Sequence, residues 1–178
     1  MKIHEKDIQR YPSPKQILNY IEKMRRLWDR EGNEILEELT RITGLKWNVK
    51  SIDCYVVGRC IPFSDPLTLP VYSRSLDDFV DTLIHELIHQ CFTEDGNSKR
   101  LKKVRDYFDR KYKGESHLTR IHIPLHAVHS HIYLTFFSEK RLKRDIQCIN
   151  SPDYQKSWYI VQAEGYQNIL RELTERMK

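Results

Sequence analysis

Between Leu76 and Phe92 the apolar residues Leu76, Val80, Leu83, Ile84, Leu87, Ile88 and Cys91 recur at the spacing of one helix face. At about 100° per residue they form a continuous arc, which predicts a helix over 76–92 with that arc against a core. Ser75, followed by Asp78 three residues later, supplies an acidic capping box at its start. The opposite side carries His85 and His89, one turn apart, with Glu86 between them. Upstream, Ser13-Pro14-Lys15-Gln16 is a capped helix start. Ile17, Leu18, Ile21, Met24, Leu27 and Trp28 then repeat at helical spacing to about Arg30, where Gly32 is expected to stop the helix. A second helix is expected over Asn33 to Thr43, ending at Gly44.

The period shifts to two between Leu45 and Val57, with a slip near Ser51, so this stretch reads as extended chain before a turn at Gly58. Leu67 to Ser73 is a second extended piece, bounded by Pro66 and containing Pro70, and is expected to be an open edge strand beside the 76–92 helix. Downstream, Lys99 to Lys113 is a charged helix with Leu101, Val104, Tyr107 and Phe108 inward. Another helix opens near His122, with Pro124 in its first turn and Leu125, Val128, Ile132 and Phe136 as its core stripe. Ser151-Pro152-Asp153 starts a last helix that is expected to run through Gly165, taken as a close crossing, to about Arg176. The pattern predicts an α+β fold: one domain over 1–178, with a small sheet packed on the 76–92 helix and further scaffold helices.

Composition narrows the class more than the chemistry. A chain of 178 residues suits one domain with a real core, and it shows no internal repeat or low-complexity run. No apolar stretch is long enough for a membrane span, and the start lacks a secretory pattern, so a cytoplasmic protein is expected. Cys54, Cys60, Cys91 and Cys148 have no Cys-x-x-Cys spacing and are expected to be reduced, buried thiols. The net charge of +5 admits an acidic partner such as nucleic acid. The basic runs at Lys99–Lys113 and Lys140–Arg144 are interleaved with acids, however, and read as solvated helix faces.

His85-Glu86-x-x-His89 on a helix is the pattern that carries chemistry. Imidazoles at i and i+4 reach a single ion, and a carboxylate between them can act on a metal-activated water as general base. Catalytic zinc takes three protein ligands and keeps one position open. His126 is the leading third ligand, because it lies off the core stripe near the start of its helix. His129, one turn on, and Glu164 remain alternatives, with His122 as a cap or supporting group and His131 as a surface residue. Tyr133, one turn beyond His129, is the candidate donor to a developing oxyanion.

On these residues the chain resembles the zincin superfamily of zinc metallopeptidases, and the resemblance covers the single 76–92 helix. It implies a zincin-like domain, Zn2+ held by His85, His89 and a third ligand, Glu86 as general base, and a peptide or protein substrate. Phe92 and Asp95 stand where the metzincin branch has glycine and histidine, so that branch does not fit; Asp95 is a ligand only in small zincins that use aspartate there. A glutamate ligand at Glu164 would make the chain similar to the gluzincin branch. Two rival functions follow from the same residues: a basic, non-enzymatic binding protein on a metal-stabilised scaffold, and a metal hydrolase of non-peptide substrates.

Overall fold

The computed structural model describes residues 11–47, 49–71, 75–93 and 97–178. Its elements, in chain order, are α1 (Pro14–Thr43), β1 (Tyr55–Val57), β2 (Phe63–Ser64), β3 (Leu67–Pro70), α2 (Leu76–Thr93), α3 (Ser98–Lys111), α4 (His117–Phe136), α5 (Glu139–Gln147), α6 (Pro152–Glu164) and α7 (Tyr166–Met177). The protein is mostly helical with a three-stranded mixed sheet, an α+β arrangement in the coarse sense.

Helix α4 is the centre of the molecule, packed against α1, α2, α3, α5, α6 and α7. Its sequence explains the position. Ile123, Leu125, Ala127, Val128 and Ile132 form a wide apolar arc and are fully buried, and the remaining side, with His122, His126, His129 and Ser130, is buried as well. A helix with so wide an apolar arc lowers its free energy by packing against neighbours on most sides. Helix α2 lies between α4 and the sheet, contacting β2 and β3 on one side and α1 and α4 on others. Its predicted arc is buried as expected, with Ile84 and Ile88 fully inaccessible. The capping box is present: the Ser75 amide donates to Asp78 Oδ2 at 3.1 Å, and the Asp78 amide donates to Ser75 Oγ at 3.3 Å.

Several expectations are corrected. Gly32 does not stop a helix, because α1 is continuous from Pro14 to Gly44. A Cβ at Gly32 would lie 2.3 Å from the Trp28 ring, so the glycine seats that indole one turn back. The true stop is Gly44, whose φ of 67° favours a residue without a Cβ. Among the described residues of the extended stretch 45–57, only Tyr55–Val57 pairs as a strand.

β3 is not an open edge. It is the middle strand of the order β1-β3-β2, parallel to β1 and antiparallel to β2. Pro70 is tolerated because it ends the strand. Residues 72–74 lie outside the described residues.

Helix α4 begins at Ser116, which caps Thr119, so Pro124 lies inside the helix. The chain from Ser151 to Arg176 is two helices, α6 and α7, divided at Gly165 with φ of 82°. That glycine makes a break, not a crossing, since an added Cβ would meet nothing closer than 3.5 Å. The four cysteines form no disulfide, but only Cys91 is buried; Cys54 and Cys148 are exposed. No helix among the described residues is long and apolar enough to cross a membrane.

Candidate metal centre

The crossing of α2 and α4 brings two histidine pairs of the same i, i+4 spacing face to face. His85 and His89 come from α2, and His122 and His126 from α4. One ring nitrogen from each of His85, His89 and His122 lies within 4.8 Å of the others. The rings of His85 and His122 are stacked, with centroids 5.5 Å apart, and His89 meets both edge-on at 4.9 Å. His122 is therefore the third member of the group, the place for which His126 was the leading candidate.

A hydrogen bond settles how His122 can act. Its Nδ1 lies 2.8 Å from the Leu118 carbonyl, one turn back on α4. A carbonyl only accepts, so Nδ1 carries the proton and Nε2 keeps its lone pair. That Nε2 is buried and has no partner among the described residues. Fixing the tautomer through the far nitrogen is how ligand histidines are held in place. The signal in the sequence was the i, i+4 pair His122 and His126, a repeat of the spacing of His85 and His89. It was obscured because the helix was expected to start at His122, one full turn too late for Leu118 to serve as acceptor.

His126 lies close by, 5.3 Å from His122 by ring centroid, but it is engaged elsewhere. Its Nδ1 faces the Ser157 hydroxyl at 2.6 Å, and its ring stacks on Trp158 at 4.1 Å. His129 is 2% exposed, with both ring nitrogens unpartnered, and approaches His85 at 5.7 Å. His131 pairs with Glu38 at 2.5 Å on the side of α1. Glu164 accepts from Lys111 Nζ and from the Tyr112 hydroxyl, both at 2.8 Å, and takes no part in the histidine group. Asp95 lies outside the described residues.

Glu86 is 7% exposed, and its burial pushes the carboxyl up to about 7. Two neighbours respond to its charge. The Cys60 thiol and the Tyr154 phenol are raised by burial first and by Glu86 second, which places both near the carboxylate. Tyr154, on α6, lies with its ring tilted against that of His122 at 4.1 Å and 5.9 Å from His85, by ring centroid. Tyr133 is placed differently. It is 1% exposed in a separate cluster with Leu142 and Trp158. Burial and the charges of Asp145 and Asp81 raise its phenol far above the ordinary range.

Burial also pulls the histidines down: His85 and His126 well below the usual value, His89 to about 4 and His129 to about 3. Neutral imidazoles bind cations, and a cluster kept neutral at physiological pH is ready to do so. Beyond His89, a cavity of about 370 Å³ opens between α2, α3 and α4. Its walls are mainly apolar, among them Phe92, Leu101, Phe108 and Pro124, with Arg105 and Arg120 also lining it. On the other side, Gln90 Nε2 donates to the Ser64 carbonyl at 2.7 Å, tying the outer strand β2 to α2. Comparison with protein-family models, with curated proteins and with solved structures finds no match to this chain.

Proposed function

We propose that this protein is a zinc-dependent hydrolase of peptide bonds, a small zincin-like enzyme in which His85, His89 and His122 hold the metal. The observation that carries the reading is the His122 nitrogen: deprotonated, buried, unpartnered and within reach of two more imidazoles. A buried acceptor with no partner costs about 1–3 kcal/mol, a cost that a bound cation removes. Three nitrogen donors and an adjacent free carboxylate match catalytic zinc sites, which leave one position for water.

Zinc bound there supplies a water acidified to a pKa of about 7 and a Lewis acid for a carbonyl oxygen. Glu86 has the position and the basicity for the remaining proton work. Its carboxyl, pushed up to about 7 by burial, would be held in the ionised form by a cation bound beside it and would then take a proton from the attacking water. The same carboxyl then delivers that proton to the leaving amine. Tyr154, beside His122, replaces Tyr133 as the phenol able to donate to the developing oxyanion. The cavity beyond His89 receives an apolar side chain of the substrate, and β2, an outer strand tethered to α2, offers backbone groups to an extended peptide.

The basic runs favour this reading over a nucleic-acid partner, because many of their charges are spent internally. Lys102 pairs with Asp106, Lys111 with Glu164 and Glu172, and Arg141 and Arg144 with Asp81.

Zinc content and turnover test the proposal together. Purified protein reconstituted with zinc is expected to hold one ion per chain and to cleave members of a mixed peptide library. Glu86→Gln is expected to keep the ion and lose about 10²–10⁴ in turnover. Full activity in that variant removes Glu86 from its role, and a protein that takes up no zinc ends the hydrolase reading.

A further inference from the structure

The back of α2 borders a second concavity, of about 520 Å³, enclosed by α1, the chain from 47 to 56, β3 and α2. It is separate from the histidine group, since α2 contributes Phe79, Leu83 and Leu87 here and turns His85 and His89 the other way. A volume in this range suits a small organic ligand. Most of the wall is apolar, with Met24, Trp28, Ile52 and Leu67 among the contributors. Gly32 keeps the Trp28 indole flat along α1, as any side chain there would collide with the ring.

Three polar features share one sign. Arg25 and Lys50 line the groove, are exposed, and form no ion pair among the described residues. No acidic residue among the described residues lines it. Trp47 lines it too, and its Nε1–H is buried without an acceptor among the described residues. Buried donors in native proteins are nearly always paired, so an orphan beside a cavity calls for an acceptor from outside. Two free cations and one unpaired donor around an apolar pocket define the complement: an apolar body with an anionic, oxygen-bearing head.

We infer that this groove is a binding site for an amphipathic organic anion, of the chemical class of a medium-chain carboxylate. The inference does not depend on the hydrolase reading, because no residue of the histidine group contributes to it.

Decanoate, decanol and decylamine, each titrated into the full-length protein, test the site. The readouts are calorimetry and the fluorescence of Trp28 and Trp47, which flank the groove, whereas the third tryptophan, Trp158, lies in another cluster. Decanoate is expected to bind saturably, one per chain, and at least tenfold more tightly than decylamine. The double variant Arg25→Glu, Lys50→Glu changes only exposed positions. It is expected to weaken decanoate at least tenfold and to leave decanol unchanged. Equal binding of all three ligands, or no saturable binding, overturns the proposal. So does a concentration-dependent dimer that decanoate fails to dissociate, which would give the groove to a second copy of the chain.

Discussion

Helix α2 carries two buried polar clusters whose members begin one turn apart, and they are completed to different degrees. Asp81, 3% exposed, faces α5, where Arg141 reaches one carboxylate oxygen at 2.6 Å and Arg144 the other at 3.1 Å. The Arg141 guanidinium also lies over the Phe137 ring at 3.9 Å. Asp81 there has both its oxygens engaged by guanidinium groups, and the cluster fastens α5 to α2, while the Tyr133 hydroxyl beside it has no partner among the described residues. His85, four residues on, faces α4, where His122 Nε2 and both nitrogens of His129 have no partner. Buried polar groups are normally satisfied, so the first cluster reads as architecture and the second as a site shaped for something the chain does not itself supply.

The strongest way to break that contrast is to remove one histidine at a time and measure zinc. His122→Ala is expected to lower zinc affinity by more than the roughly 10–100-fold typical of losing a supporting partner. His126→Ala, which loses the Ser157 hydrogen bond and the Trp158 stack, is expected to stay within that range. Equal losses would merge the two roles and return the third-ligand question to the whole cluster.

The paired cluster should fail differently. Asp81→Asn leaves the Arg141 charge half-sequestered without its main anion, and breaking such a pair costs about 3–5 kcal/mol. Urea unfolding should register that loss while zinc content per folded chain stays at one. Loss of zinc without loss of stability would mean that Asp81 belongs to the metal site after all.

Next in size is the phenol. Tyr154→Phe should reduce kcat by about 10²–10³ with zinc content and KM little changed, as expected for an oxyanion donor. Tyr133→Phe should leave kcat near its starting value, because that hydroxyl sits with Asp81 and Asp145. The reverse result would restore the role that sequence position alone suggested for Tyr133.

The α2 helix, its cap and its buried arc were legible because each is a local property of consecutive residues. Which imidazole stands beside His85 and His89 was not. It depends on where α4 begins, and the Ser116 cap is weak beside the proline at 124, which resembles a first-turn signal. Glycines misled in both directions for a related reason. Gly32 is demanded by the Trp28 ring, a contact no period reveals, whereas Gly165 breaks its helix through a positive φ that sequence shows only as permission. Tyr154 was missed because it reaches the site from α6, more than thirty residues beyond His122, and only tertiary packing brings the two rings to 4.1 Å. The order of three short strands, which makes β3 central, likewise has no local signature.

Acid separates the two clusters by sign. In the metal-free protein, His85, His89, His122, His126 and His129 all have folded pKa values below the ordinary 6.5, mainly through burial. Below pH 6.5 the unfolded chain takes up protons that the folded cluster refuses, so stability present above 6.5 is lost as pH falls. Three carboxyls act the opposite way. Glu86 is raised to about 7, Asp145, beside the arginine cluster, to about 6, and Asp81 above its ordinary range, all by burial first. Their ionised forms are strained in the fold, so each gains stability as pH drops through those values toward the unfolded carboxylate range. Five lowered histidines outnumber the three raised carboxyls, so the histidine sign prevails and stability falls on acidification. Urea midpoints of chelator-treated protein at pH 7.5, 6 and 5 should fall, and His122→Ala should flatten the fall, whereas Asp81→Asn, which removes a raised carboxyl, should steepen it slightly. A flat profile, or one that Asp81→Asn changes more than His122→Ala does, would show that the imidazoles are solvated and that the two clusters differ less than their hydrogen bonds imply.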